Sequence, residues 1–308
     1  METLFITHSS CHRHEMHSWH PESPARLDAI NDRLVASGLA DFLIHLPARE
    51  AQESDLLRVH TADHVRFLRE HSPQEGYFNV DTEETCMNPH TWQAALHAAG
   101  AGLEAIDQIM AGHARNAFCA VRPPGHHAEP ARASGFCFLN NVAIGVRYAQ
   151  QQYGLKRIAI VDFDVHHGNG TEAAFANDES VMMCSFFQYP LFPNSGVDHP
   201  AANMHNSPVP AYTKADKIRD LVTTHWLPAL ETFQPELIFI SAGFDAHRED
   251  DMGQLDLVEK DYIWLTSQVK AIADKYSGGR IVSMLEGGYA LSALGRSVEA
   301  HIRTLAGL

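Results

Sequence analysis

Residues 158–171 read IAIVDFDVHHGNGT, in which an apolar run passes directly into ionisable residues and glycines. A short apolar run of this kind is typical of a strand buried on both faces of a parallel sheet. Asp164 and His166 lie two positions apart, so on an extended segment their side chains share a face. A carboxylate and an imidazole on one face are candidate ligands for one metal ion.

Three other apolar runs end in the same way. Each passes into glycine and ionisable residues: 117–121 into Arg122-Pro-Pro-Gly-His126-His127, 237–241 into Ala242-Gly-Phe-Asp245, and 281–285 into Glu286-Gly-Gly-Tyr289. In open parallel sheets, ligands bind outside the carboxyl ends of the strands. We therefore expect the four clusters to converge on one site.

The rest of the chain alternates such runs with helical patterns. Further candidate strands lie at residues 4–7 and 181–187, and candidate helices at 24–36, 91–111, 142–152, 216–233, 258–275 and 291–305. This alternation predicts an α/β fold, in which helices cover both faces of a mostly parallel sheet. Because we find neither a repeat nor a linker rich in Pro, Gly or Ser, we expect residues 1–308 to form one domain.

Composition argues against several classes of function. The formal net charge of −15 disfavours direct binding of DNA or RNA, and it favours the collection of cationic substrates. The sequence predicts neither a membrane span nor a signal peptide. Its five dispersed cysteines favour reduced thiols and a cytoplasmic location.

Asp245 is the third candidate ligand beside Asp164 and His166. A lone Asp-x-His pair more often makes structural hydrogen bonds at a strand end. Here a matching aspartate at a second strand end and a histidine pair at a third favour a metal site. One imidazole and two carboxylates suit a catalytic zinc ion with an open position for water, or Fe(II) or Co(II) in similar geometry.

Two imidazoles follow a rigid Pro-Pro-Gly turn. Beside a metal-bound water, His126 and His127 are candidates for general base and general acid. Each needs a partner on its other ring nitrogen to fix its tautomer, and Asp162 and Asn169 are the natural candidates. The plainer alternative is that one of the two histidines is simply packed.

Three aromatic residues lie in loops near the same end of the predicted sheet. The phenol of Tyr289 is a candidate donor to a developing oxyanion, although a lone tyrosine after two glycines is more often packing. Phe136 and Phe192 are candidate walls of a narrow tunnel that suits a slim aliphatic chain. As single residues, they are more often part of a core.

Six segments form a specific set that runs through nearly the whole chain. They are His20-Pro-Glu-Ser-Pro-Ala-Arg26-Leu27, Arg122-Pro-Pro-Gly-His-His127, Ser134-Gly-Phe-Cys-Phe-Leu-Asn-Asn141, Val161-Asp-Phe-Asp-Val-His-His-Gly-Asn-Gly-Thr171, Ser241-Ala-Gly-Phe-Asp245 and Leu285-Glu-Gly-Gly-Tyr289. Together they resemble the histone deacetylase and acetylpolyamine amidohydrolase family, in particular its class II branch and bacterial homologues. The resemblance implies the arginase-deacetylase fold, a three-layer α/β/α structure with a mostly parallel sheet of about eight strands.

The resemblance also implies an activity and residue roles. The activity is zinc-dependent removal of acetyl or other acyl groups from the side-chain amine of acyl-lysine in proteins or peptides. Zinc would be held by Asp164, His166 and Asp245. His127 would be the base, with His126 assisting electrostatically. The other implied residues are Asp162 and Asn169 beside the histidines, Tyr289 at the scissile carbonyl, and Gly135, Phe136, Phe192 and Gly287 around the substrate.

The family also binds potassium. A site near the zinc maps to Asp162, Asp164, His166, Ser185 and the carbonyl of Phe186, and a second site maps near Phe175, Asp178 and Val181. Two further features have no assigned role. Residues 81–85 are a candidate rim that grips the substrate backbone, and His12, His14, His17 and His20 are by default solvated side chains.

The physiological substrate and the oligomeric state remain open. Met252, the seventh residue after Asp245, is at the family's gatekeeper position, where a glutamate resembles the polyamine-selective branch and an apolar residue the acyl-lysine branch. A small acylated amine such as an acetylpolyamine is the alternative substrate. A ureohydrolase with two manganese ions is a rival interpretation. That chemistry needs a second bridging aspartate two residues after His166, where this chain has Gly168. A catalytically inactive acyl-lysine-binding protein is a more remote rival.

Overall fold

The computed structural model describes residues 2–81 and 85–308. Within them, ten strands are β1 (Thr3–Thr7), β2 (Leu43–Pro47), β3 (Phe78–Asn79), β4 (Cys86–Met87), β5 (Asn116–Cys119), β6 (Ile158–Asp162), β7 (Val181–Gln188), β8 (Met204–Val209), β9 (Leu237–Ala242) and β10 (Ile281–Leu285). Eight of them form one sheet in the order β2-β1-β5-β10-β9-β6-β7-β8, and every neighbouring pair is parallel. Strands β3 and β4 form a separate antiparallel pair.

Helices cover both faces of this sheet. They are α1 (Ser10–Arg13), α2 (Ala25–Ala36), α3 (Glu53–Leu56), α4 (Ala62–Glu70), α5 (Thr91–Met110), α6 (Asn141–Tyr153), α7 (Asn169–Phe175), α8 (Ala215–Leu221), α9 (Leu227–Phe233), α10 (Glu259–Tyr276) and α11 (Leu291–Ala306). Helix α5 packs on α6, whereas α11 packs between α2 and α10, and both groups contact the central strands. This arrangement confirms the predicted α/β class and the eight-stranded, parallel, three-layer architecture. No helix of the described residues is both long and apolar enough to cross a membrane.

All six predicted strands and all six predicted helices are present, with ends shifted by a residue or two. The prediction was incomplete at the sheet edges, because β2 and β8 were not recognised. Each edge strand has a hydrogen-bonded neighbour on one side only, and its sequence is correspondingly mixed: β8 reads MHNSPV. The predicted helix at 216–233 is α8 and α9 joined by a π-helical turn at Val222–Trp226.

The strand order explains why the four polar clusters meet. Strands β5, β10, β9 and β6 are consecutive in the sheet, and their residues are all buried. Each leads directly into one of the four clusters of ionisable residues and glycines. Parallel strands bring their carboxyl ends to one edge, so the expected convergence of the clusters is confirmed.

Candidate active site

Three buried side chains form the candidate metal site. Asp164, His166 and Asp245 each offer one ligand atom, and these atoms lie within 4.8 Å of one another. His166 Nδ1 is 3.0 Å from Asp164 Oδ1 and 3.3 Å from Asp245 Oδ2. It is the only such group of three acidic, histidine or cysteine residues in the described part of the chain.

Backbone groups hold the two carboxylates in place. Asp245 Oδ1 accepts a hydrogen bond from the Val165 amide at 2.9 Å, and Asp164 Oδ2 accepts one from the Gly287 amide at 2.9 Å. Asp245 Oδ2 is buried and has no hydrogen-bond partner among the described residues. A buried carboxylate oxygen left unpaired is costly unless it binds a cation, so the donor set fits a metal ion.

Glycines make room for this cluster. A Cβ atom at Gly243 would lie 2.1 Å from Asp164 Oδ2, and one at Gly287 would lie 2.0 Å from Asp245 Oδ2. A Cβ at Gly168 would lie 2.5 Å from Asp162 Oδ2, so the position where a two-metal enzyme needs another aspartate has no space for one. The glycines therefore belong to the site, and the crowding favours a single metal ion.

The pKa values of Asp245 and His166 are both raised, so the cluster has a high affinity for protons. Burial and the charge of Asp164 raise the pKa of Asp245 to about 7. Burial acts to lower the pKa of His166, but its hydrogen bond to Asp164 and the nearby carboxylate of Asp245 outweigh burial and raise that pKa to about 10. The three groups thus hold positive charge tightly, and a divalent ion would have to displace a proton to bind.

The two histidines have the partners that the sequence predicted. His126 Nδ1 is 3.0 Å from Asp162 Oδ2, and His127 Nδ1 is 2.8 Å from Asn169 Oδ1. Asn169 Nδ2 in turn donates to Glu129 Oε1 at 2.8 Å. That bond fixes the orientation of the amide, so Asn169 Oδ1 accepts the Nδ1 proton of His127 and leaves Nε2 able to accept another proton.

The surroundings push the pKa values of the two rings apart. Burial acts against protonation of His126, but the carboxylates of Asp164 and Asp162 outweigh it and raise the pKa of His126 well above its ordinary value. Burial, with the nearby His126 and His166, lowers the pKa of His127 well below its ordinary value. A neutral ring therefore lies beside a protonated one, which suits a base and an electrostatic helper.

Tyr289 is placed by contacts from two distant parts of the chain. Its backbone amide donates to Asp250 Oδ2 at 2.6 Å, and the Ala290 amide donates to the same atom at 2.9 Å. The guanidinium of Arg26 lies 4.9 Å from the tyrosine ring centroid and donates to the carbonyls of Gly288 and Glu286. Burial raises the pKa of Tyr289 well above its ordinary value, so the hydroxyl keeps its proton and can donate a hydrogen bond.

A cavity of about 250 Å³ adjoins this site. It is lined by His127, Gly135, Phe136, His166, Leu191, Phe192, Asp251, Met252, Gln254 and Tyr289. The predicted tunnel residues Gly135, Phe136, Phe192 and Met252 are thus all brought together. Gly287 is placed differently: it lies against Asp164 and Asp245 at the candidate metal site, not on the cavity wall.

Gly135 allows the tunnel wall to approach the histidines. Its φ of +56° is in the left-handed region, and a Cβ there would lie 2.4 Å from His127 Cδ2. The loop that carries Phe192 is tied to the site by a contact that the sequence did not reveal. His167 Nδ1 forms a hydrogen bond with Ser195 Oγ at 2.8 Å, three residues after Phe192. The residue next to a candidate ligand therefore also fixes the loop that carries the tunnel wall.

The residues mapped to potassium are placed in two different ways. Strand register puts Ser185 and Ser241 on either side of Asp162, and the hydroxyl oxygens of both serines are buried without a hydrogen-bond partner among the described residues. At the second mapped site, the carbonyls of Phe175, Asp178 and Val181 converge on one nitrogen, Asn203 Nδ2, at 2.8 to 3.0 Å. The amide group of Asn203 already occupies the point where those carbonyls meet.

Two of the four histidines near the start are not solvated, so that default expectation was wrong for them. His14 is buried between Thr91 and Glu22, and Glu22 also pairs with the buried Arg122. His20 is buried against Phe136. On the candidate rim, Asp81 accepts a hydrogen bond from the Thr85 amide and lines a cavity beside Phe192. Residues 82–84 of that rim lie outside the described residues.

Comparisons with known proteins give one family. The profile of the histone deacetylase domain matches residues 20–305. A probable deacetylase from Archaeoglobus fulgidus is 36% identical over 94% of this chain and 82% of its own length. The histone deacetylase-like amidohydrolase of Pseudomonas aeruginosa is 34% identical over 88% of this chain and 72% of its own length. The human polyamine deacetylase HDAC10 is 35% identical over 93% of this chain but only 44% of its own length.

A solved structure agrees with these sequence matches. The crystal structure of the HDA15 HD domain superposes with a TM-score of 0.92 at 32% identity, covering 99% of this chain and 90% of that one. The fold and the site therefore define a hydrolase of the deacetylase type. The chain belongs to the histone deacetylase family.

Proposed function

We propose that this protein is a zinc-dependent amidohydrolase that removes acetyl or other acyl groups from the side-chain amine of acyl-lysine in proteins or peptides. One observation carries the proposal. The buried Asp164, His166 and Asp245 cluster lies beside a histidine pair with opposite pKa shifts, next to a cavity of about 250 Å³ that the rings of Phe136 and Phe192 help to line. Turnover of an acetyl-lysine peptide that stops on chelation and returns with zinc tests it, and absence of turnover would favour an inactive acyl-lysine-binding protein.

Each residue has a task in this proposal. Asp164, His166 and Asp245 would hold a zinc ion, which would supply Lewis-acid chemistry to the acyl carbonyl and the attacking water. His127 Nε2 takes a proton from that water, while Asn169 holds the opposite ring nitrogen. His126 stays protonated beside Asp162 and stabilises developing negative charge, and the pair returns a proton to the leaving amine. The Tyr289 hydroxyl donates a hydrogen bond to the carbonyl oxygen as negative charge develops there.

Potassium is the second ion in the proposal. Ser185 Oγ and the carboxylate of Asp162 face the same strand-end region, and the unpaired serine oxygen is the observation that favours an ion there. We assign this ion a structural role. It would join Asp162, Ser185 and the Phe186 carbonyl to the ligands Asp164 and His166.

The hydroxyl of Tyr289 is expected to act mainly in the transition state. Tyr289→Phe should lower kcat roughly 10²- to 10³-fold, the usual effect of losing one oxyanion donor. KM should change little, because the hydrogen bond strengthens mainly as charge develops. Steady-state kinetics on an acetyl-lysine peptide measure both constants. An unchanged kcat would show that the phenol does not reach the carbonyl.

Met252 supports acyl-lysine over an acetylpolyamine as substrate. Its thioether lines the cavity and can pack against a lysine stem or peptide backbone, but it offers no charge to a second cation. Of the three acidic residues before it, Glu249 pairs with Arg296 and Asp250 binds backbone amides, which leaves only Asp251 on the cavity wall. Within the cavity, Asp251 is the residue that favours the polyamine alternative.

The role of Met252 at the gatekeeper position can be tested by substitution. We expect kcat/KM for acetyl-lysine peptides to exceed that for acetylspermidine and acetylputrescine, and Met252→Glu to shift this ratio toward the polyamines. The shift should be about tenfold or more, since hydrogen bonds to charged groups contribute about 1.5–3 kcal/mol. Asp251→Asn is the matched control. If the unmodified enzyme prefers acetylpolyamines, the gatekeeper argument is wrong, and loss of that preference in Asp251→Asn would identify Asp251 as its cause.

A further inference from the structure

Three aromatic rings form an exposed surface that the proposed reaction does not use. We define it as the aromatic platform: His17, Trp19 and Tyr77. The ring centroids of His17 and Trp19 are 5.5 Å apart and nearly parallel, and those of His17 and Tyr77 are 4.3 Å apart. Trp19 is nevertheless 71% exposed and Tyr77 44% exposed. Clustered exposed aromatics are unusual on a protein surface and commonly mark a binding site.

The platform is connected to the tunnel by a short series of rings. Trp19 lies against His20, with centroids 5.7 Å apart, and His20 lies edge-on against Phe136 at 4.5 Å. Phe136 lines the tunnel and contacts Tyr289 at 6.0 Å. The exposed face of Trp19 is therefore one buried ring away from the tunnel wall. An extended peptide advances about 3.3–3.6 Å per residue, so this is within a few residues of an acyl-lysine in the tunnel.

Two carboxylates, Glu15 and Asp81, lie close in the chain to residues of the platform. Glu15 precedes His17 by two residues, and burial and the charge of Glu15 both raise the pKa of the Tyr77 phenol. Asp81 follows β3 shortly after Tyr77. The cation–π contacts found among the described residues all lie elsewhere, so no described Lys or Arg covers the ring of Trp19 or Tyr77. Electron-rich ring faces beside carboxylates attract an ammonium or guanidinium group.

We propose that the aromatic platform is a subsite for the side chain of an arginine or lysine that flanks the acyl-lysine in a peptide substrate. This rests on the proposed deacylation of acyl-lysine. A peptide is favoured over the distal ammonium of a polyamine because the acyl group must reach the site at the end of the tunnel. A small amine is then largely inside the tunnel, whereas a peptide continues across the rim to the platform.

The test compares arginine with citrulline, which has nearly the same shape but no charge. Acetyl-lysine peptides carrying either residue at each of the three positions before and after the acetyl-lysine are assayed with the unmodified enzyme, Trp19→Ala, Trp19→Phe and Tyr77→Ala. We expect kcat/KM to favour arginine at one or more positions by roughly two- to thirty-fold, the range of a cation–π contact. Trp19→Ala should remove this preference, and Trp19→Phe should keep part of it.

Two controls separate the platform from other effects. Phe42→Ala removes another exposed aromatic ring, which lies in the turn just before edge strand β2 and does not line the tunnel, and should leave the preference intact. Acetyl-lysine with blocked termini and no flanking residue should be hydrolysed equally well by all variants. The long-range attraction of the −15 net charge acts on every variant alike, so it cannot produce a loss confined to Trp19 and Tyr77.

The outcomes distinguish the subsite from the reaction. If blocked acetyl-lysine is not hydrolysed, the proposed function fails, and anisotropy with the same fluorescent peptides still tests the platform by binding alone. If the substrate is hydrolysed but arginine and citrulline peptides are equivalent at every position, the platform proposal is wrong. A loss of acetylspermidine turnover in Trp19→Ala, with no change in the arginine preference, would overturn the peptide assignment in favour of a polyamine ammonium.

Discussion

Replacement of Asp245 by alanine is expected to abolish hydrolysis and to reduce bound zinc from about one ion per chain to a background level. Asp245 contributes the carboxylate oxygen that is buried without a hydrogen-bond partner, so its loss removes a ligand that no neighbour replaces. Asp164→Ala should have the same effect. Metal analysis of the purified protein and turnover of an acetyl-lysine peptide measure the two consequences separately.

A structural loss must be distinguished from a loss of the ligand. Asp245 Oδ1 also accepts the Val165 amide, so Asp245→Asn is the informative second variant, because it keeps that acceptor and loses the charge. It should fold, as judged by thermal unfolding, and still bind zinc poorly. Asp63→Ala, on the exposed surface of α4, is the control with full activity. Full activity of the unmodified enzyme after thorough chelation would refute the metal assignment.

Removal of the His127 imidazole is expected to lower kcat by roughly 10²- to 10⁴-fold, the usual contribution of a general base. His126→Ala should also damage the enzyme, through loss of positive charge beside Asp164 and Asp162. Glu129→Gln should have a smaller effect, because Glu129 acts only by orienting Asn169. His45→Ala, an exposed histidine in edge strand β2, should leave kcat unchanged.

The pH dependence of kcat/KM follows from the protonation states of His126 and His127. His127 must be neutral to accept a proton, so kcat/KM should fall as the pH drops and the base becomes protonated. His126 must keep its proton, so the rate should also fall at high pH as that proton is lost. The bell-shaped profile reports coupled pKa values of the pair and the attacking water, not of single residues. A flat profile from weakly acidic to weakly basic pH would contradict these roles.

The partners of the site residues show where prediction from sequence stops. Asp162 and Asn169 were identified as partners of the histidines because they lie within a few residues of Asp164 and His166 at one strand end. Glu129, Asp250 and Arg26 were not, although each fixes a group at the site. Arg26 contacts carbonyls more than 250 residues away, and no local pattern marks such a contact. Residues 14 and 20 were likewise misjudged, since a histidine looks the same in sequence whether it is solvated or buried.

The strands that carry the site, the alternation that makes the sheet parallel and the residue types at each strand end can all be read from the sequence. These features are local: a buried strand needs an apolar run, and a tight turn beside a ligand needs glycine. The sheet order, which places β5, β10, β9 and β6 side by side, and the edge strands β2 and β8 become visible only in the folded chain. It alone also shows the unpaired oxygen of Asp245, the opposite pKa shifts of His126 and His127, and the rings that lead from the tunnel to Trp19. These properties depend on burial and on contacts between residues far apart in the chain, and neither is present until the chain has folded.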